Sequence, residues 1–210
     1  MSGRQELFLE MEQHLMQDRR PSDYFNSIAE DPLLQEEPFF MLSRLKKTGQ
    51  SPKYHPEGNV WNHTMLVVDQ AAEMKEFSDD PKTLMWAALL HDIGKPDTTR
   101  NRKGKITSYN HERAGSDLTV KFLSCFTQDH RWIEKVAALV RWHMQVLFVM
   151  NDLPFGDIQS MKEQTNVREV GLLGFCDRMG RLGSNREQEE DNYRIFLEKI
   201  SCYSRTQIIA

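Results

Sequence analysis

Leu84-Met85-Trp86-Ala87-Ala88-Leu89-Leu90-His91-Asp92-Ile93-Gly94-Lys95 is the stretch on which the reading of this chain turns. His91 falls on an apolar helical stripe with Leu84, Ala87 and Ala88. The run up to Leu90 is followed at once by an imidazole and a carboxylate, two side chains that suit divalent zinc, iron, nickel or manganese. Asp80-Pro81, just upstream, supplies an N-cap and an N1 proline for the helix, which is expected to reach about Ile93.

Working outward, the same pairing of apolar helical spacing and metal-type side chains recurs. His63 lies on a stripe with Leu66, Val67 and Met74, and His143 on one with Val136, Leu139 and Val140. Asp177 shares a face with Val170, Leu173 and Gly174, and His111 opens a stripe with Gly115, Leu118 and Phe122. Residues three, four and seven apart share one helix face, so these polar groups are expected to point into a bundle. An unpaired carboxylate there is expensive, and convergence on a metal relieves that cost. A single inward histidine is more often a hydrogen-bonded core residue than a ligand; the joint occurrence of His63, His91, Asp92, His111, His143 and Asp177 favours ligation.

Apolar residues at helical spacing run through nearly the whole chain, and strand-like alternation is scarce. Helices are expected over 4–18, from Ser22-Asp23 to Ile28, over 38–47, 60–77 (capped by Asn59), 111–125, 129–147, 155–163, 166–181 and 186–200. Residues 51–58 hold two prolines and a glycine, so they are expected to form an irregular loop. A short β-hairpin is expected near residues 98–109, turning at Lys103-Gly104. The organisation read from this is an N-terminal helical extension over 1–50 packed on a main domain over 51–200, with a tail over 201–210.

Composition narrows the function classes. The 210 residues are 39% hydrophobic and 28% charged with a net charge of −4, an ordinary globular balance without the basic excess of a protein that grips long nucleic acid. No apolar stretch reaches the ~20 residues that span a bilayer. The polar start argues against a signal peptide, and the three cysteines lack Cys-x-x-Cys spacing. A reducing cytoplasm is the expected location, with no disulfide framework, no membrane partner and no coiled-coil signature to set an oligomeric state.

The order His…His-Asp…His…His…Asp resembles the HD-domain metal-dependent phosphohydrolases. Tyr54-His55-Pro56-Glu57-Gly58-Asn59-Val60-Trp61-Asn62-His63-Thr64, Ala87 to Pro96, and Tyr109-Asn110-His111-Glu112-Arg113-Ala114-Gly115 are similar to the HD domain of bacterial CCA-adding tRNA nucleotidyltransferases. Arg20-Pro21-Ser22-Asp23-Tyr24-Phe25 and Pro32-Leu33-Leu34 extend the similarity upstream. Neither a Gly-Gly-x-Val-Arg-Asp motif nor a catalytic Asp-x-Asp occurs in the chain, so CCA addition is not carried over. The resemblance implies an all-α HD-domain-like bundle with His63, His91, Asp92 and Asp177 as a four-ligand site. His111 and His143 match the further ligands of two-metal members, or phosphate contacts in one-metal members. It also implies hydrolysis of a phosphate ester, by a phosphatase or phosphodiesterase, with one or two divalent ions (Fe, Mn, Ni, Co, Zn or Mg) and a small phosphorylated substrate, a nucleotide or an RNA end. The competing reading is a non-catalytic HD-fold module that binds a nucleotide, an RNA end or a protein.

Roles then follow for the neighbours. Asp92 is expected to hold the attacking water and accept its proton, and Lys95 to neutralise phosphoryl oxygens, the alternative for Lys95 being a helix C-terminal cation. Arg181, one turn beyond Asp177, is expected at the pocket mouth and in contact with substrate, whereas Arg178 is expected in a surface ion pair. Glu112 reads as a first-turn helix acid rather than a partner of His111. His55 either lines the pocket or caps a turn, and His14 and His130 are assigned to solvated surface. The cationic run Arg100-Asn101-Arg102-Lys103-Gly104-Lys105 reads as a solvated hairpin tip rather than a flap over substrate. Phe39-Phe40, Trp61, Trp86, Trp132 and Trp142 are expected to serve packing.

Overall fold

A computed structural model describes residues 3–208, with side chains described as far as Tyr203. The protein is mostly helical, with a single small antiparallel hairpin among the described residues. In chain order the elements are α1 (Gly3–Gln17), α2 (Pro21–Ser27), α3 (Phe40–Ser43), α4 (Val60–Met74), α5 (Pro81–Leu90), α6 (Lys95–Thr98), β1 (Arg100–Arg102), β2 (Lys105–Thr107), α7 (His111–Ser124), α8 (His130–Trp142), α9 (Gln145–Met150), α10 (Ile158–Gln164), α11 (Val167–Met179) and α12 (Arg186–Ile208). Short 3-10 turns fill Pro32–Gln35, Arg44–Lys47 and Lys75–Phe77.

Helix starts follow the capping chemistry of the sequence. Asn59 accepts from the Asn62 amide at 2.9 Å at the head of α4, and Asp80 from the Thr83 amide at 3.3 Å at the head of α5. Asp129, Asp157 and Asn166 do the same for α8, α10 and α11. The hairpin turns where expected: Lys103 and Gly104 both have positive φ, 53° and 79°, the geometry of a tight two-residue turn.

α5 is the axis of the molecule. Every residue from Thr83 to Leu90 is buried, with α4 and α8 against it, α7 against α8, and α11 against α4 and α12. α1 joins the same core. It buries Leu7, Phe8, Met11 and Leu15, and Phe8 stacks on Trp86 at 4.7 Å and on Phe126 at 4.4 Å. Trp86 Nε1 donates to Glu12 at 3.2 Å. Of the aromatic residues assigned to packing, Phe39, Trp61, Trp86, Trp132 and Trp142 are buried, but Phe40 is 39% exposed; on α3 it occupies the outer face while Phe39 and Leu42 turn inward.

Several boundaries differ from the sequence expectation. The helix expected over 129–147 is broken at His143 into α8 and α9. The segment 38–47 is one turn of α-helix followed by a 3-10 turn. α5 stops at Leu90, so that His91 and Asp92 lie in the turn beyond it. α12 runs on to Ile208 rather than ending near 200; the end of the expected tail, residues 209–210, lies outside the described residues. No helix among the described residues is long and apolar enough to cross a membrane.

Candidate metal centre

Helix ends, not helix middles, build the site. His63 is in the first turn of α4, His91 caps the C-terminus of α5, His111 is the first residue of α7, His143 caps the C-terminus of α8, and Asp177 is in the last turn of α11. All of these, with Asp92, are buried. The six residues singled out as ligands therefore come together, from five helices.

The last carbonyls of a helix lack intrahelical partners, and two of the histidines, His91 and His143, sit where such a carbonyl is in reach. His91 Nδ1 donates to Ala88 O at 2.9 Å and His143 Nδ1 to Val140 O at 2.7 Å. His111 Nδ1 donates to Ser108 O, at the foot of the hairpin, at 2.7 Å. A carbonyl can only accept, so each bond places the hydrogen on Nδ1 and leaves Nε2 with a lone pair. Those Nε2 atoms then face one another: His111 Nε2 and His143 Nε2 are 3.2 Å apart, and Asp92 Oδ1 is 3.4 Å from His111 Nε2. His91 Nε2 lies 3.2 Å from Asp92 Oδ2 without hydrogen-bond geometry and is itself buried without a hydrogen-bond partner, while Oδ2 faces Lys95 Nζ at 2.7 Å. Electron-rich atoms converging in this way repel one another unless a cation lies between them.

Two donor sets share one residue. Ligand atoms of His63, His91 and Asp92 lie within 4.8 Å of one another, and so do those of Asp92, His111 and His143. Asp177 extends the first set, with Oδ1 2.9 Å from His63 Nε2. The donor types, imidazole and carboxylate without thiolate, fit a borderline divalent ion, and the unpartnered, buried Nε2 of His91 fits it too.

The ionisation states of four donors, His111, His143, Asp92 and Asp177, agree with this, and that of His63 runs the other way. Burial, aided by the neighbouring His111 and His91, pushes His143 down to about 3, and burial also lowers His111, so both imidazoles are neutral near pH 7. Burial pushes Asp92 and Asp177 up, but His91 and Lys95 around the first, and Arg181 and His63 around the second, hold both well below the usual carboxylate range. Burial would lower His63, yet the carboxylates of Asp177 and Glu57 outweigh it and raise it.

Lys95 is not a free cation. Its Nζ is buried, 2.7 Å from Asp92 Oδ2 and 2.5 Å from Gln50 Oε1. Arg181 straddles Asp177 at 3.2 and 3.3 Å, with its side chain a quarter exposed. Arg178 pairs instead with Glu189. His130 is exposed, while His14 is only half-exposed, stacked on Tyr24 at 3.7 Å and paired with Asp18 at 2.7 Å. Glu112 is a first-turn acid, but a buried one, 3.8 Å from both His111 Nδ1 and Arg141. Arg100 turns back onto Asp97 O and Thr99 O, and β1 is wholly exposed. Two residues of the site carried no signal as such: Gln50, which holds Lys95, and Glu57, which touches both His55 and His63 at 2.8 and 3.0 Å. His55 bonds Glu57 within its own loop and packs edge-on to His63 at 4.7 Å.

Comparison with known proteins agrees with this geometry. Residues 60–179 match the HD domain family. The chain belongs to that family. A multifunctional CCA protein from Pasteurella multocida is 34% identical over 125 residues, which cover 59% of this chain and 29% of the relative. An A-adding tRNA nucleotidyltransferase from Deinococcus radiodurans is 34% identical over 149 residues, 68% of this chain and 32% of the relative. This HD-domain chain therefore spans about a third or less of the curated relatives it matches, and the similarity is to their HD region.

Proposed function

We propose that the protein is a metal-dependent phosphohydrolase, a phosphatase or phosphodiesterase, acting on a nucleotide or RNA-terminal phosphate ester. The observation that carries this reading is the convergence of lone pairs on Asp92: the Nε2 atoms of His111 and His143 at 3.2 Å, with Asp92 shared between their set and that of His63 and His91. A purely binding module has no need of two donor sets around one carboxylate. His63, His91, Asp92 and Asp177 would hold one ion, and Asp92, His111 and His143 a second. A bound divalent ion supplies Lewis acidity and brings the pKa of water from 15.7 towards about 7.

The remaining work falls to the protein's own groups. Asp92, ionised at neutral pH and central to both sets, orients the attacking water and takes its proton at a carboxylate oxygen. Lys95 Nζ, already beside Asp92, neutralises charge developing on a non-bridging phosphoryl oxygen. Arg181, largely within the site and with its side chain a quarter exposed, holds the phosphate at the mouth and presents a planar fork suited to it. The tRNA in the name of the Deinococcus relative favours an RNA end among the substrates.

The test is phosphate release from 2′,3′-cyclic nucleotides, nucleoside monophosphates and a generic phosphodiester, across Mg²⁺, Mn²⁺, Ni²⁺, Co²⁺ and Fe²⁺, with Asp92→Ala as control. Metal-dependent turnover that falls at least about 100-fold in the control supports the enzyme and ranks its substrates. A folded protein inert with every ion would leave only the binding module.

A further inference from the structure

Glu57 stands outside the six donors that converge on Asp92, yet its side chain is only 2% exposed and lies between two imidazoles. Oε1 accepts from His55 Nδ1 at 2.8 Å and is 3.0 Å from His63 Nδ1. Its place is fixed by α4, the helix that carries His63: the Asn62 side-chain amide donates to Glu57 O at 3.0 Å. Gly58 follows with φ +103°, a value L side chains rarely adopt, and lets the chain reverse so that Asn59 can cap α4. The Gly58 amide donates to His55 O at 3.1 Å, closing the turn.

We propose that Glu57 is the positioning residue of the metal centre, acting on the ion through His63. The other three histidines are oriented by carbonyls, which hold a hydrogen on Nδ1. His63 is in the first turn of its helix, where free amides rather than free carbonyls are found, and no carbonyl is recorded as its partner. Glu57 fills that role with a carboxylate. Set 3.0 Å from His63 Nδ1 but short of hydrogen-bond geometry, Glu57 offers that nitrogen a carboxylate, the partner that would hold its hydrogen and make Nε2, which faces Asp177 and Asp92, a better donor than a carbonyl partner would. His55, whose ring packs edge-on to His63 at 4.7 Å, bonds the same carboxylate oxygen, Oε1, and so fixes which oxygen faces His63. The loop over 51–58 is thus part of the metal site without supplying a ligand to it.

This inference rests on the phosphohydrolase reading only in requiring a divalent ion, so its test reads ion binding. Affinity for Mn²⁺ and Co²⁺ is measured by competition with a chromogenic chelator in the full chain, alongside a metal-free thermal melt, for wild type, Glu57→Ala, Glu57→Gln and His55→Ala. Glu57→Ala is expected to weaken binding about 10- to 100-fold, the range for such outer partners. Glu57→Gln retains an acceptor but not the charge and is expected to fall between it and wild type; it carries the test if the alanine variant does not fold. His55→Ala is expected to lose less than Glu57→Gln. Wild-type affinity in both well-folded Glu57 variants overturns the inference and leaves the phosphohydrolase standing. Intact ion binding by wild type without turnover on any ester has the reverse effect, and a wild-type protein that binds neither ion overturns both.

Discussion

Gly94 and Gly115 meet backbone to backbone. A Cβ on Gly94 would lie 2.2 Å from His111 O and 2.5 Å from the Gly115 amide nitrogen. This contact seats the turn that carries His91 and Asp92 directly on the first turns of α7, and so brings His111 within reach of Asp92. The glycine of His91-Asp92-Ile93-Gly94-Lys95 is there for close approach, not for an unusual φ.

Gly94→Ala is therefore expected to be among the most damaging single-methyl changes in the chain. The atoms it meets are backbone and cannot step aside, so a loss of about 3 kcal/mol is expected by urea unfolding. Gly115→Ala, whose nearest neighbour is a Val140 methyl at 3.1 Å, is expected to cost about 1 kcal/mol. Equal costs would show that the helices do not meet as closely as described.

Lys95→Met separates a substrate role from a ligand role. Lys95 pairs with Asp92 and is no ligand itself, so its removal is expected to leave Mn²⁺ affinity unchanged or tighter, while kcat falls about 100-fold. Loss of ion affinity together with unchanged kcat would assign Lys95 to the structure of the site alone.

Trp86 carries the N-terminal helix. It is fully buried, stacked on Phe8 and edge-on to Trp132 at 6.2 Å. Trp86→Ala is expected to cost about 3–5 kcal/mol and to expose α1 to limited proteolysis. Stability within about 1 kcal/mol of wild type would contradict a shared core.

Asp80 tests capping and its pH dependence together. Burial raises its carboxyl, but hydrogen bonds from Lys135 and Thr83 outweigh this and hold it below its ordinary 3.8. A depressed folded pKa means that the contribution is complete above the unfolded value and is lost as pH falls through the folded one. Asp80→Ala is expected to cost about 1 kcal/mol at pH 7, with the gap to wild type closing below about pH 4. A gap independent of pH would rule out the ionised cap.

Where the sequence was legible, a local rule was at work. Asn59 and Asp80-Pro81 announce helix starts through side chains that accept amide hydrogens. Lys103-Gly104 announces the hairpin because a two-residue turn needs positive φ. Five of the six buried donors were legible because each breaks an otherwise apolar stripe, and Asp92 because it directly follows His91. What escaped was set by contacts distant in sequence or by competition at helix ends. Apolar spacing runs through His143 without a pause; the break there comes from a ring that takes the Val140 carbonyl as it turns into the site. Gln50 and Glu57 were hidden because their partners, Lys95 and His63, lie on other elements, and nothing in their own neighbourhood calls for a buried acceptor. Phe40 went wrong because α3 is a single turn, too short for a stripe to show which face is inside.

The most direct measurement is the number of ions held per chain after loading with Mn²⁺ and removal of excess, counted by elemental analysis for wild type and Asp92→Ala. Two ions on wild type and none retained by a folded Asp92→Ala protein is the predicted result, because both donor sets pass through that carboxylate. No ion on wild type, or the same count in the variant, would contradict a centre built on Asp92.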